Sequence, residues 1–488
     1  MDVKQIKHIG RKLKAFLRKF DDCFSRVEPR ADLFAYVKGQ LSDLPRKSIE
    51  PIALAADIPP RTLQYFLSDV PWDHARLRDR IQWQVATEHR HPRAIGVIDE
   101  SGNPKKGKYT CGVKRQWCGN TGKIDNCIVS MHLGYVVDDF QCLLDSDLYL
   151  PQEWADDTVR RREAKIPDDV VYRKKTIIAL EQVKQALSNG IRFSALTYDE
   201  FYGRDREFLD GLEALGQNYV GEIPSDFSGW ANQPNVLQKP TPSELRRKGR
   251  RRCFPRVSRQ TNHPCQVRNL AVHSPKFYKQ KWRKFKIKDG EKGPVVWEVK
   301  AVTFYRKQGQ SGLPGRPHTL IVARNALDTK EVKYFLSNMI INGKDITLEW
   351  LLWVAFSRWP IERCFEIGKR DLGMDHFEMR NWQGIHRHFY ITQLSMLFCA
   401  EVQQKLREKN SGEFIFDGRA GSPCRLCLDY GRVIATKGTT TLLSASRRKD
   451  RILSTSQPAS QKMSLEKNAG TPAKTGYKCQ QTKKLCAV

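Results

Sequence analysis

Apolar positions recur every three to four residues through the first ninety positions, a period that predicts helices across 1–90. In MDVKQIKHIGRKLKAFLRKF, residues Ile6, Ile9, Leu13, Phe16, Leu17 and Phe20 form one stripe with Lys and Arg between them, as in a core-facing helix with a basic outer face. The segment SIEPIALAADIPPRTLQYFL (48–67) reads as a helix, a short turn and a second helix opened by Pro59 or Pro60. That pattern suits a helix-turn-helix whose second helix enters a DNA major groove, and equally a small helical bundle. At Arg93 the period changes. AIGVI (94–98) is a short buried strand ending at Asp99, and the loop SGNPKKGK follows. Strands are predicted next at Tyr109–Trp117 and Cys127–Val136, where Ile128, Ser130, His132 and Gly134 alternate with Val129, Met131, Leu133 and Tyr135. The tight connections predict an antiparallel meander.

A helix is predicted over Val171–Ser188, with Ile177, Leu180, Val183 and Leu187 on one stripe and Gly190 placed to end it. Strand FSALTY (193–198), a polar helix near Arg204–Leu215 and strand NYVGEI (218–223) complete the series. Three antiparallel strands followed by helix, strand, helix, strand is the order of an RNase H-like α/β fold. The stretch after Phe227 breaks the alternation. It holds Pro- and Gly-containing loops, the cluster RRKGRRR, and strand-like pieces at Val295–Tyr305 and His318–Arg324. Helical character returns at Thr347–Leu372 and His386–Lys405, and the remainder, rich in Ser, Thr, Lys and Gln, reads as a disordered basic tail. The domains expected are a helical N-terminal domain (1–90), the first part of the catalytic core (91–226), a mostly β insertion domain (227–345), the second part of the core (346–417) and the tail (418–488).

Charge narrows the function. Lys and Arg number 84 against 54 Asp and Glu, a net charge of +30 over 488 residues, which points to a phosphate-rich partner. No apolar run approaches the roughly twenty residues that span a bilayer, and the N-terminus lacks the apolar stretch of a signal peptide. Neither membrane insertion nor secretion is expected. The thirteen cysteines then read as reduced thiols. Cys424 and Cys427 form one CxxC, and Cys253, His263 and Cys265 lie close together, but neither set has a second pair at zinc-ligand spacing.

The candidate chemistry lies in acids. Asp99 and Asp199 each follow a predicted strand, which brings both to one edge of the sheet if those strands are neighbours. Glu362 lies far downstream in RWPIERCFEIGKR, on a predicted helix able to pack beside that edge. Cutting or joining a phosphodiester requires an activated nucleophilic oxygen, a stabilised leaving oxygen and a neutralised phosphate, and two divalent cations on a few carboxylates meet all three needs. On one continuous helix Arg358, Glu362 and Lys369 would lie within about 40° of one another, a cationic pair beside a carboxylate. Pro360 either kinks that helix or starts it. A solvated surface network is the ordinary reading of such a trio, and a turn or helix cap that of an Asp after a strand.

Three blocks in order resemble the DDE transposases of bacterial insertion sequences, in the branch with a Tyr-Arg-Glu-Lys signature. The blocks are VIDESGNPKKGK with VKRQWCGNTGKIDNC, then TYDEFYGRDREFLDGL, then IERCFEIGKRDLGMDHFEMRNWQGIHRH, and the resemblance covers about residues 40–405. It implies that Asp99, Asp199 and Glu362 bind two magnesium ions, replaceable by manganese, on an RNase H-like core. It also implies an insertion domain before the Glu, and a homodimer that pairs the ends of its element. Arg358 and Lys369 match the Arg and Lys that contact the phosphate backbone. The Tyr position holds Ala355, with Phe356 beside it, and Glu100 stands where relatives often carry a second Asp. His386 and His388 fall in the third block as packing or phosphate-facing residues.

The expected function is therefore recognition of terminal inverted repeats in double-stranded DNA and metal-dependent cleavage and strand transfer, by a cut-and-paste route through a hairpin. The protein would work at the nucleoid, in the cytoplasm. Arg246, Arg247, Lys248, Arg250, Arg251 and Arg252 are expected phosphate contacts, and Trp297 and Trp282 are candidates for stacking on an unpaired base or for burial in the insertion core. The rivals are a catalytically inactive DNA-binding regulator and a different RNase H-like nuclease.

Overall fold

The protein is described by a computed structural model covering residues 3–246, 249, 252–258, 263–290, 293–308 and 311–410. The expected tail, Cys424, Cys427, and Arg247, Lys248, Arg250 and Arg251 of the basic cluster lie outside the described residues. The chain opens with helices α1 (Val3–Arg18), α2 (Val27–Gln40), α3 (Ile49–Ala55), α4 (Pro60–Ser68) and α5 (His74–Glu88). Pro59 has extended backbone and Pro60 sits in the first turn of α4, where a missing N–H costs nothing. Leu63, Phe66 and Leu67 turn inward, and Arg61, Gln64 and Tyr65 face solvent.

Next come strands β1 (Ile95–Pro104), β2 (Lys114–Cys118), β3 (Lys123–Val137) and β4 (Phe140–Leu148), then short helices α6 (Gln152–Ala155) and α7 (Thr158–Glu163). Helix α8 (Lys175–Ser188), strand β5 (Ala195–Tyr198), helices α9 (Glu200–Arg204) and α10 (Arg206–Ala214) and strand β6 (Val220–Ile223) follow. β3 pairs antiparallel with β1 along one side and with β2 and then β4 along the other, and β5 lies parallel to β1.

Two expectations are corrected here. Asp99 lies within β1 rather than at its end, because Ser101 and Asn103 continue the ladder against Ser130 and Ile128. The third strand of the main meander is β4, joined to β3 by the two-residue turn Asp138–Asp139, in which Asp138 takes φ 47°. The alternation in β3 exposes neither face, since helices cover both. Ser130 and His132 are buried, and the Phe365 ring lies 4.9 Å from that of His132.

A second sheet follows from β7 (Ser228–Trp230), with the two-residue pair β8 (Val236–Leu237) and β9 (Arg256–Val257) flanking helix α11 (Pro242–Leu245). Then come β10 (Cys265–Gln266), α12 (Val267–His273), α13 (Pro275–Tyr278), β11 (Arg283–Gly290), β12 (Gly293–Lys307), β13 (Pro314–Asn325) and β14 (Val332–Ser337). Its strand order is β10-β7-β12-β13-β14-β6, with β11 also paired to β12. Because β6 belongs to this sheet while Tyr219, just before it, bridges to Leu196 of β5, the two sheets meet behind the acids. The fold is thus mixed α/β.

The last helices are α14 (Leu348–Phe356), α15 (Trp359–Leu372) and α16 (Trp382–Asn410). The helical stretch expected over Thr347–Leu372 is divided at Ser357–Arg358, and of the two roles open to Pro360 it takes that of starting a helix. α16 runs back beneath the N-terminal helices. Tyr36 Oη meets His388 Nδ1 at 2.9 Å, Gln40 Nε2 donates to Thr392 Oγ1 at 2.8 Å, and the buried Arg387 donates to the carbonyls of Phe66, Leu67, Val70 and Trp72. Among the described residues no helix is long and apolar enough to cross a membrane.

Candidate active site

Parallel pairing of Ile98 with Tyr198 makes the next residues, Asp99 and Asp199, neighbours on adjacent strands, about 5 Å apart at the backbone. Asp99 is 8% exposed; its Oδ1 accepts the Glu100 N–H at 2.8 Å and its Oδ2 accepts Arg358 Nη1 at 2.6 Å. Asp199 is the N-cap of α9, where its Oδ1 accepts the N–H groups of Phe201 and Tyr202 at 3.0 and 3.4 Å. The cap expected of an Asp after a strand is therefore present. Gly203 and Gly221 let α9 and β6 close up behind it: a Cβ on Gly203 would lie 1.9 Å from the Glu222 carbonyl oxygen, and one on Gly221 would lie 1.9 Å from the Tyr198 ring.

Glu362, in the first turn of α15, accepts Arg358 Nη2 at 2.7 Å. One planar guanidinium fork thus joins Asp99 to Glu362, which keeps the two carboxylate oxygens within about 8 Å. Burial pushes the Asp99 carboxyl up to about 7; Arg358 opposes the rise, and the charges of Asp199 and Glu362 add to it. Burial likewise raises Asp199, against the pull of its cap and of Arg358. Three carboxylates crowded at a sheet edge form a hard oxygen donor set, and the site already holds one cation of its own, Arg358. The three acids are not drawn into a set whose ligand atoms all lie within 4.8 Å of one another.

Lys369, two turns along α15, donates to the Gly102 carbonyl at 3.2 Å, and burial lowers its pKa. Glu100 accepts Lys175 Nζ at 3.1 and 2.8 Å, and the ammonium also lies 5.5 Å from the Phe201 and Tyr149 ring centres. No periodicity marks Lys175 in advance, because its partners come from three separate segments. Arg246 and Arg252, the described ends of the basic cluster, are exposed.

Several candidates go elsewhere. His386 and His388 are packing residues: His386 bonds Asp147 at 3.0 Å and the Trp382 carbonyl at 2.9 Å, and His388 lies 3.1 Å from the carbonyls of both Gly373 and Met374. Ala355 is buried, and Phe356 packs 5.4 Å from both Trp297 and Phe335, so it gives the acids no aromatic neighbour. Trp297 is 4% exposed, and Trp282 is half-buried beneath Lys300 and Arg324, which takes both indoles into the second sheet's packing.

Residues 19–294 match the family described as DDE superfamily endonuclease. The chain is 33% identical over 199 residues to the "Probable transposase for insertion sequence element IS701" of Microchaete diplosiphon, over 40% of this chain and 49% of that protein. It thus spans about half the length of the curated relative it matches. Among solved structures it is similar to the piggyBac transposase synaptic complex with hairpin DNA, at 10% identity and a TM-score of 0.41, over 84% of this chain and 71% of that one. By the family match, which takes in the segments carrying Asp99 and Asp199, the chain belongs to the DDE superfamily of endonucleases.

Proposed function

We propose that the chain is the transposase of an insertion sequence, binding the terminal inverted repeats of its element and carrying out cation-dependent cleavage and strand transfer of double-stranded DNA. Excision through a hairpin, pasting into target DNA and a homodimeric complex at the element's ends belong to the same reading, as does work at the nucleoid in the cytoplasm. The observation that carries it is the meeting of Asp99 and Asp199 on adjacent parallel strands, with Arg358 joining Asp99 to Glu362 from α15. The strand order β4-β3-β1-β5 supports assignment of an RNase H-like core, with the second sheet as the insertion domain.

Two magnesium ions, or manganese in their place, suit this donor set, and Asp99, Asp199 and Glu362 would hold them. Once bound, such ions supply nucleophile activation and leaving-group stabilisation. The chain's own cations do the positioning. Arg358, released from the acids, and Lys369 would grip the phosphates flanking the scissile bond, with Arg246 to Arg252 holding the backbone farther out. The outward residues of α4, Arg61, Gln64 and Tyr65, are the candidates to read the repeat, as expected of a helix-turn-helix.

One observation favours the alternative of a catalytically inactive DNA-binding regulator: Asp199 caps α9 and Arg358 neutralises the other two acids, so all three have structural work. Incubation with Mg²⁺ and a duplex ending in the element's terminal repeat separates the readings. Nicking at the repeat end supports the transposase, binding without nicking supports the regulator, and cleavage indifferent to the repeat supports a general nuclease. Asp199→Asn refines the test, because Asn also caps helices well. The variant should fold and bind the repeat as the parent does and lose nicking; joint loss of folding and binding would make Asp199 a structural residue.

A further inference from the structure

A second group of metal-ligating side chains lies where α5 meets α16, apart from the acids described above. Glu88 is the last residue of α5, His89 is its C-cap and Glu401 comes from α16. Their ligand atoms all lie within 4.8 Å of one another, which holds for no other trio of His, Cys, Asp and Glu among the described residues. His89 Nε2 stands 3.5 Å from Glu401 Oε1, long for a hydrogen bond to a carboxylate. It matches the edge of a tetrahedron of ligands set about 2.1 Å from a zinc ion, an edge of about 3.4 Å.

We propose that Glu88, His89 and Glu401 form a binding site for a divalent cation of the zinc class, stapling α5 to α16. One imidazole nitrogen and two carboxylate oxygens suit zinc better than magnesium, which prefers oxygen alone. The donors are held in place from outside. The His89 ring stacks on Phe140 at 4.2 Å, Tyr135 Oη donates to the His89 carbonyl at 2.7 Å, and Gln84 Nε2 donates to Glu401 Oε1 at 3.2 Å. Glu88 and His89 border a cleft of about 350 Å³, so water has room to reach them as a fourth ligand.

Two lysines compete with the cation. Lys19 Nζ lies 2.8 Å from both Glu88 oxygens, and Lys405 Nζ is 3.7 Å from Glu401 Oε2. Both ammonium groups reach solvent, with side chains 34% and 64% exposed, so each can turn away when a doubly charged ion arrives.

The site is independent of the proposed reaction, and its test keeps the two apart. The full chain, with Asp99→Asn, Asp199→Asn and Glu362→Gln silencing the other acids, is titrated with ZnCl₂ by calorimetry and with CoCl₂ by visible absorption. One equivalent is expected at roughly micromolar affinity, giving cobalt bands without sulfur charge transfer. His89→Gln should remove that equivalent, Glu88→Gln should weaken it about tenfold, and Lys19→Gln should tighten it. The proposal fails if His89→Gln and Glu401→Gln, folded by circular dichroism, bind as the parent does. It fails equally if the parent takes up no cobalt below millimolar concentration, or only with a thiolate band that assigns the metal to cysteines.

Discussion

Replacing Gly203 by alanine adds one methyl group at a point where the backbone leaves no room for it. At an open helical position the change stabilises by about 1 kcal/mol, because alanine loses less backbone entropy on folding. At Gly203 the new Cβ would lie 1.9 Å from the Glu222 carbonyl oxygen and 2.9 Å from its carbon. Restoring an ordinary contact near 3.2 Å requires α9 and β6 to part by about 1.3 Å, and because the obstruction is backbone no side chain can swing clear. Overpacking of this kind costs about 1–3 kcal/mol. The backbone clash puts Gly203→Ala at the upper end, for a net loss near 2 kcal/mol after the helix gain. Gly203 N–H also bonds the Asp199 carbonyl at 3.1 Å, so the displacement reaches the acid that α9 holds. A shift of about 1 Å there should lower the proposed nicking rate roughly a hundredfold. Urea unfolding followed by tryptophan fluorescence, beside Mg²⁺-dependent nicking, measures both effects. Gly119→Ala is the control, since nothing lies within 4 Å of a Cβ at that position. A Gly203→Ala protein as stable as the parent, nicking within twofold of it, would refute the reasoning.

Other outcomes follow from the same geometry. Arg387→Met leaves the Leu67 and Trp72 carbonyls without their side-chain donor, while those of Phe66 and Val70 keep the indole and backbone N–H groups of Trp72, and at about 1–3 kcal/mol for each acceptor left bare it should destabilise by about 2 kcal/mol or more in urea melts. Arg358→Met removes the internal counter-cation from Asp99 and Glu362, so calorimetry should find Mn²⁺ bound about tenfold more tightly while nicking falls. Burial pushes Glu213 up, but its hydrogen bond from His318 and the Arg306 guanidinium outweigh that and hold it at about 2, against an ordinary 4.5. A depressed folded-state value stabilises above pH 4.5, and the benefit is lost as pH falls toward 2. Unfolding midpoints compared between pH 6 and pH 3 should therefore fall more steeply in the parent than in Glu213→Gln, and parallel slopes would contradict the assignment.

The neighbouring placement of Asp99 and Asp199 was legible in the sequence because each directly follows a run of buried β residues, and two such runs pair side by side. β4 was not legible. In QCLLDSDL the charges fall among apolar residues without alternation, and the buried Asp145 and half-buried Asp147 find partners in Tyr390 and His386, some 240 positions away. The break before α15 was visible only as an ambiguity at Pro360, and the path of the chain at Ser357–Arg358 settled it. Arg358, the N-cap of α15, has helical backbone, φ −72° and ψ −35°, so it still reaches Glu362 as an i,i+4 pair. The basic stripe of α1 and the cluster around Arg246 told of charge, but linear spacing holds no information about which surfaces those charges share.

Tyr36 and His388 are 352 positions apart, and the Phe66 and Leu67 carbonyls near the end of α4 accept from Arg387, which is as remote in the chain. At translation rates of about 5–20 residues per second, α2 to α4 leave the ribosome roughly 20 to 70 s before their partners exist. During that interval Phe66 of α4 has Phe24 and Trp72 to pack against, but the contacts made by α16 are missing. A message cut short before Trp382 would yield an N-terminal region without the His388 and Arg387 contacts. Completion of the polypeptide thus supplies the last contacts of the N-terminal region.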